Sequence, residues 1–465
     1  MLFNTFNFLI VFPFIFILFW LIPAKWEISR KLYLLLLSYL LYMNFNAVYA
    51  LILLGITCIT YFGGQLFDNH KNKRYLFILL TFLSVFPLLV FKYYNFIIET
   101  VNDGLSLIGL RFNLLGLNWM IPVGISFYTF QAIGYMFDVY YGRCKSEKNI
   151  LDYALFVSFF PQIVSGPISK ASELLPQFKS FKKFDYEKAV VGLRCLLWGI
   201  FMKVVVADRA GIYADMIFAN YDKFSGLNCF LGSIIYSIQI YTDFAGYSLM
   251  AVGVAKLLGF DLINNFRRPY FATSITDFWK RWHISLTRWL TQNVYIPLGG
   301  NRCTSIKCYW NILITFLVSG IWHGANWTFI VWGLLHGFIQ IIEKSLGIHK
   351  NYSSKYFIFR IIFTFLIVNF AWIFFRSVSI RSASEFIIQI FSGGTFSSQG
   401  IETLVYLLMG FIVLFSKEFM QEFMPTLYGQ LLSLKPFRWI AYIILIIMIM
   451  LNGVFDGGQF IYSSF

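Results

Sequence analysis

The sequence predicts an all-α integral membrane protein, one domain over residues 1–465, with roughly ten to twelve membrane segments. Three observations carry this. Only 13% of the residues are charged and 58% are hydrophobic, whereas soluble domains run near about a quarter charged. Several apolar runs exceed the ~18 residues of a spanning helix. The basic residues fall in short clusters between those runs, as cytoplasmic loops do. That placement argues against nucleic acid as the partner of a chain with net charge +15. The six cysteines form no C-x-x-C pair, so neither a disulfide framework nor a zinc site is expected.

Residues 3–24 form the first span; no basic segment precedes them, so the sequence reads as a retained helix and not a cleaved signal. Lys25, Arg30 and Lys31 place the next loop in the cytoplasm. Residues 32–67 are uncharged and too long for one helix, which predicts two passes turning near Asn44-Phe45-Asn46. After the basic HKNKR cluster, residues 75–91 lead outward to a polar segment at Asn102-Asp103-Gly104. Residues 114–137 return, with Pro122 and Gly124 bending that helix. Ser126 and Gln131 need internal partners there. Arg143, Lys145 and Lys148 then mark a cytoplasmic loop.

Residues 153–169 are apolar but short, broken by Pro161, Gly166 and Pro167, and have basic flanks on both sides. A re-entrant or interfacial loop fits; a kinked span is the other reading. Residues 189–206 and 225–242 are further passes, and Asp243 is either a helix cap or part of a buried polar network. A basic turn, NNFRRPY, covers 264–270.

Residues 273–293, TSITDFWKRWHISLTRWLTQN, form the strongest amphipathic helix. Ser274 or Thr276 caps it, and Ile275, Phe278, Trp279, Trp282, Leu286, Trp289 and Leu290 make one apolar stripe. Lys280, Arg281 and Arg288 lie off the stripe, and this predicts a helix lying in the cytoplasmic interface. His283 sits at the stripe's edge. YIPLGGNR at 295–302 is a glycine turn, read either as a plain turn or as backbone N–H groups plus Arg302 near an anion. The basic stretch 343–360 holds a solvated His349, residues 361–375, 403–416 and 439–455 are the last spans, and 417–438 is interfacial.

Residues 308–342 contain no Asp, Glu, Lys or Arg, yet carry His323 and His336. Their length suits two passes, interrupted near the middle by Ser319-Gly320 and the WHGAN knot. An imidazole in such a segment points to function. Metal ligation is not signalled, because no carboxylate or cysteine stands at ligand spacing. His336, between Leu335 and Gly337, reads as a core histidine; His323, among Trp322, Gly324, Ala325 and Asn326, reads as part of a site wall. An imidazole suits a general base acting on a hydroxyl. No G-x-S-x-G elbow and no phosphate-binding G-x-x-x-x-G-K-[ST] loop is present, so direct transfer between two bound substrates is the chemistry left.

With FWKRWHISL, YIPLGGNR, GIWHGAN, IPVGISFYTFQ and FFPQIVSGPI in place, the chain resembles the membrane-bound O-acyltransferase family, in its branch that acetylates polysaccharide and peptidoglycan. The resemblance implies a helical bundle around a central tunnel in a bacterial plasma membrane. It implies acetyl-CoA as a cytoplasmic donor substrate with no permanently bound cofactor. It makes His323 catalytic, with His283 assisting. Trp322, Asn326 and Trp282 become substrate-binding candidates, and Lys280, Arg281 and Arg302 become candidates for the donor phosphates on charge alone. The implied acceptor is a hydroxyl of an extracytoplasmic polysaccharide, of alginate, cellulose or peptidoglycan type, reached through a periplasmic or surface partner. Rival readings are D-alanyl, teichoic-acid or lipid acyl transfer within the same family, and a glycan or lipid transporter. A transporter predicts inverted repeats or several intramembrane carboxylates, of which the sequence offers Asp243 and little else.

Overall fold

The computed structural model describes residues 3, 5–69, 74–110, 114–180, 183–348 and 356–455, and no strand occurs among them. His349 and most of the HKNKR cluster lie outside the described residues. Helices α1 (Phe6–Leu21), α2 (Glu27–Met43) and α3 (Tyr49–Asn69) open the chain, with the expected turn after Met43. Next come α4 (Arg74–Leu88) and α5 (Tyr94–Leu107), then α6 (Ile125–Tyr140) and the short α7 (Ile150–Ser158), α8 (Phe160–Ile163) and α9 (Ala171–Phe178). The middle of the fold is α10 (Tyr186–Ile200), α11 (Asp208–Ala219) and α12 (Gly226–Leu257). Two short pieces of seven residues each, α13 (Ile275–Arg281) and α14 (Ile284–Leu290), precede the hairpin of α15 (Ser305–His323) and α16 (Trp327–Ser345). The chain ends in α17 (Phe357–Arg376), α18 (Ile380–Ile390), α19 (Ile401–Phe423), α20 (Pro425–Ser433) and α21 (Lys435–Asn452). Among the described residues, 7 helices are long and apolar enough to cross a membrane. The expected ten to twelve are reached only by counting shorter helices such as α1 and more polar ones such as α12 as well.

Several segments differ from expectation for identifiable reasons. The outward helix does not stop before Asn102: a π-helical turn over Leu89–Tyr93 welds α4 and α5 into one rod of 34 residues. Residues 114–124 do not begin a bent helix. They run extended, with Asn95 and Asn102, two turns apart on α5, each exchanging two hydrogen bonds with the backbone, at Leu117 (2.9 and 2.8 Å) and Leu114 (3.1 and 3.2 Å). The asparagines thus satisfy peptide groups that a helix would satisfy internally. Gly124 starts α6 instead of bending it, with φ +75; a Cβ there would lie 2.2 Å from the Ile163 carbonyl oxygen.

The broken α7–α8 segment is buried from Leu155 to Ser169, which is what irregular backbone inside a membrane bundle requires. Lys31 on α2 pairs with Asp152 at 2.6 Å. At the break, the Phe160 N–H donates to Ser38 Oγ at 3.1 Å. The Gln131 and Gln162 amides both donate to the Phe156 carbonyl. Those bonds supply the partners that Gln131 was expected to need.

The passes at 189–206 and 225–242 are longer than expected. A second π-helical turn, Phe201–Ala207, joins α10 to α11, and α12 extends to Leu257. Asp243 is no cap. It is buried in α12 and pairs at 2.7 Å with Lys203, which also holds Asp208 at 2.6 Å.

Helices α10 and α12 touch through two glycine pairs, Gly199–Gly246 and Gly192–Gly253. A Cβ on Gly246 would stand 2.8 Å from the Gly199 carbonyl oxygen, and one on Gly253 2.7 Å from that of Gly192. Small residues at a membrane helix crossing let backbones approach and replace the missing hydrophobic drive with packing. Gly246→Leu pushes a branched side chain against backbone, where overpacking costs roughly 1–3 kcal/mol or more. Its expected result is a lowered melting temperature in detergent. A melting temperature equal to wild type contradicts this packing.

Candidate active site

The site is built on the corner of the α15–α16 hairpin. Gly320 and Gly333 allow the two helices to close: a Cβ on either would lie 2.4 Å from a carbonyl oxygen of the other helix. The helix does not break at Ser319-Gly320, which lie within α15; the corner is at residues 324–326. Asn326 caps α16, accepting from the Thr328 N–H at 3.0 Å, and its amide donates to the Val378 carbonyl at 2.8 Å.

α15 ends at His323, which leaves the last carbonyls of a buried helix end without helical partners. Two side chains of the first π-helical turn satisfy them. Lys92 Nζ donates to the Trp322 carbonyl at 2.6 Å and to Ser126 Oγ at 3.3 Å. The Tyr93 hydroxyl donates to the Ile321 carbonyl at 2.6 Å. The π turn brings these consecutive residues to bear on one helix end. Lys92 went unnoticed in the sequence because a lysine after an apolar run reads as a flanking loop charge. The only available signal was its position: 18 residues past Arg74, about 27 Å up the rod.

The amphipathic helix is not continuous. It breaks at His283, which has φ +41 and ψ 55, a conformation that costs a non-glycine residue energy. The basic turn before it holds the break open. Arg267 N–H donates to the Arg281 carbonyl and Ile284 N–H to the Asn265 carbonyl, both at 2.9 Å. Ser285 N–H donates to Asn265 Oδ1 at 3.1 Å. The tryptophan stripe is buried against protein instead of lipid: Trp282 packs on Trp372 (ring centroids 5.0 Å apart) and Trp279 on Trp332 (5.7 Å).

The result is an aromatic box holding three histidines, each at most 1% exposed. His323 lies 4.9 Å from both Trp322 and Trp332 and 5.3 Å from Phe375. His283 lies 4.6 Å from Phe244 and 5.7 Å from Trp322, so the Trp322 indole stands between the two imidazoles. His336 Nδ1 accepts from Trp279 Nε1 at 3.4 Å, while its Nε2 has no partner among the described residues. Around the other two, polar atoms gather that have no hydrogen-bond partner among the described residues. They are both ring nitrogens of His283, Trp322 Nε1, Trp282 Nε1, Ser319 Oγ and Asn265 Nδ2. Buried polar atoms are nearly always paired, so such a cluster calls for a ligand.

Two connected cavities lead toward the box. A mouth of about 620 Å³ is lined by Arg143, Lys170, Lys280, Arg288 and Ile296. It shares Trp279, Thr287 and Thr291 with a narrower pocket of about 160 Å³. That pocket follows Ile312, Thr315, Phe316 and Ser319, successive turns of α15. It stops one turn short of His323. The expected open tunnel is therefore interrupted, because indole and phenyl rings close its last turn.

The candidates fare differently. Trp322 and Trp282 form walls of the box, and Lys280 lines the mouth. Arg281 is committed elsewhere, to Asp277 at 3.0 Å and Glu422 at 2.7 Å. Asn326 is committed as the cap described above. Arg302 is exposed on the glycine turn, away from the mouth's lining. Lys170, Arg143 and Arg288 had not been singled out. They arrive from the segment after α8, the loop after α6 and α14, a convergence that no local pattern records. Arg143 is held by Asp138 at 3.1 Å and Arg288 by Glu173 at 2.6 Å, while Lys170 and Lys280 make no ion pair among the described residues.

A dry histidine box in a membrane bundle, approached through a cationic mouth, defines a membrane-embedded group-transfer enzyme as the class. The sequence model of the membrane-bound O-acyltransferase family matches residues 146–384. A probable alginate O-acetylase of Pseudomonas syringae is 37% identical over 371 residues, 78% of this chain and 70% of that protein. The peptidoglycan O-acetyltransferase of Helicobacter pylori is 37% identical over 397 residues, 77% of this chain and 73% of its own. The teichoic acid D-alanyltransferase of Streptococcus thermophilus is 28% identical over 62% of this chain and 69% of its own. The chain belongs to the membrane-bound O-acyltransferase family and is an O-acyltransferase.

If Lys92 fixes where His323 sits, Lys92→Met lowers turnover roughly ten- to hundredfold, the scale of a small misplacement of a reacting group. Stability changes little, since the same substitution removes the cost of burying an amino group. Wild-type turnover in a membrane-inserted Lys92→Met protein contradicts the role.

Proposed function

We propose that this protein takes an acetyl group from acetyl-CoA on the cytoplasmic side and delivers it toward hydroxyls of an extracytoplasmic polysaccharide. The observation that carries the reading is the passage that climbs α15 from a basic mouth and ends one turn below His323. Lys170 and Lys280, lacking carboxylate partners among the described residues, suit the phosphates of coenzyme A. The apolar pocket above them suits the pantetheine arm and its thioester. His323 lies at the last residue of α15, about 27 Å from its first, near the far side of a hydrocarbon core about 30 Å thick. An acceptor hydroxyl arrives from that side.

In the proposed step the His323 imidazole takes the hydroxyl proton and the oxygen bonds to the acyl carbon. The carbon–sulfur bond then breaks and the coenzyme thiolate leaves with the proton. His283, its two nitrogens without partners among the described residues, stands across Trp322 and assists by holding substrate or solvent. Relatives named for alginate and peptidoglycan acetylation support a glycan acceptor. A periplasmic or surface protein that completes transfer onto the polymer belongs to the same proposal.

His323→Ala is expected to lower acetyl transfer by roughly 10²–10⁴-fold, the worth of a general base, with membrane expression unchanged. Glycan acetate at the wild-type level in a well-expressed variant rejects the assignment. Lys170→Glu combined with Lys280→Glu is expected to raise the KM for acetyl-CoA about tenfold or more and leave kcat nearly unaltered. An unchanged KM places the donor phosphates elsewhere.

A further inference from the structure

A cavity that shares no lining residue with the donor mouth is left without a role by the acyl-transfer reading. It measures about 450 Å³ and lies between α10, α12, α19, α20 and the NNFRRPY turn. Its wall carries Arg194, Arg267, Arg268 and Lys417 against a single carboxylate, Glu418. Glu418 is occupied, accepting from the Tyr241 hydroxyl at 2.5 Å. Arg268 is occupied as well, on Glu422 at 2.6 Å. Arg194, Arg267 and Lys417 make no ion pair among the described residues, and Lys417 Nζ rests 3.2 Å from the centroid of the Trp198 ring. Arg194 and Arg267 are exposed on this wall and Lys417 lies beside Glu418, so four basic side chains against one carboxylate leave the recess with an excess of positive charge that suits an anion.

A second cavity, apolar and about 630 Å³, shares Tyr241 and Glu418 with the first. It opens between α12, α17 and α19 and is lined by Ile238, Phe271, Ile361, Phe365, Phe415 and Phe419. A basic recess joined to a hydrocarbon groove fits a molecule with a phosphate at one end and an acyl chain at the other. The basic loops around it, with Lys188 and Lys256 bridged by Asp261, belong to the cytoplasmic face. Basic pockets between membrane helices on that face take anionic lipid headgroups.

We propose that this paired cavity binds an anionic phospholipid, with its phosphate among Arg194, Arg267 and Lys417 and one acyl chain along α17 and α19. A soluble phosphate compound would leave the groove unused, and no lining residue is shared with the donor mouth. The lipid also has a line to the site. Asn265, which lines the recess, holds the N–H groups of Ile284 and Ser285 directly after His283.

The test uses the full chain in detergent and native mass spectrometry, with phosphatidylglycerol and phosphatidylcholine of identical acyl chains as probes. Wild type is expected to retain phosphatidylglycerol in about tenfold preference, and Arg194→Gln with Lys417→Gln is expected to abolish the preference. Arg194→Gln alone, on the exposed face of α10, is expected to reduce it and serves where the double variant fails to fold. Ile361→Trp, which fills the groove, is expected to weaken retention of phosphatidylglycerol and leave binding of inorganic phosphate as it was. Equal retention of the two lipids by wild type overturns the proposal. So does displacement of phosphatidylglycerol by inorganic phosphate alone, which makes the recess a phosphate site. Displacement by acetyl-CoA overturns it too, by assigning the recess to the donor.

Discussion

The peptide group of a broken helix at hydrocarbon depth has no water to bond, and the site depends on how this protein meets that constraint. Function needs breaks, because His323 stands at a helix end and His283 at a left-handed residue. Each break is answered by a dedicated partner. Lys92 and Tyr93 take the last carbonyls of α15, Asn265 takes the N–H groups after His283, and Ser38 takes the N–H at the α7–α8 break. These donors and acceptors come from segments remote in the chain, so the geometry around the two histidines is a property of the whole bundle.

Inside that frame the aromatic box keeps the imidazoles dry. Tryptophan and phenylalanine rings around His323 exclude water, which strengthens electrostatic interactions made there, and under the proposed function would also protect a thioester from hydrolysis. The same rings close the last turn of the passage. Access therefore needs a rearrangement of the rings around His323, beside the hairpin pinned by Gly320 and Gly333. The orphaned polar atoms beside the box mark where a substrate replaces absent partners.

Much of this was legible in the sequence, and the gaps have physical causes. Hydrophobic run length reports where chain meets lipid, so α2, α3 and the hairpin of α15 and α16 appear at nearly their true positions. The FWKRWHISL and WHGAN motifs singled out two histidines, His283 and His323, which the fold brings to the two sides of the Trp322 indole. Periodicity averages over a turn and is blind to one residue with positive φ, so the break at His283 looked like a continuous amphipathic stripe. Tryptophan facing buried protein and tryptophan facing lipid give the same stripe, which is why the helix was expected on the interface. A π-helical turn adds a residue without any compositional mark, so the rod of α4 and α5 seemed to end early and Lys92 passed for a flank. Arg281 and Asn326 carried suitable chemistry, but the structure engages them with Asp277, Glu422 and Val378; only the three-dimensional partners reveal this.

The central claim is that the acyl donor climbs α15 to reach His323. Ser319→Trp plugs the narrow pocket one turn below the imidazole and leaves both histidines and the basic mouth in place. The most direct measurement is the rate of coenzyme A release from acetyl-CoA by this variant in proteoliposomes, with its melting temperature as the folding control. The account predicts that release falls to background while the protein stays folded. Release at the wild-type rate would contradict it, because the donor would then be reaching the site by another path.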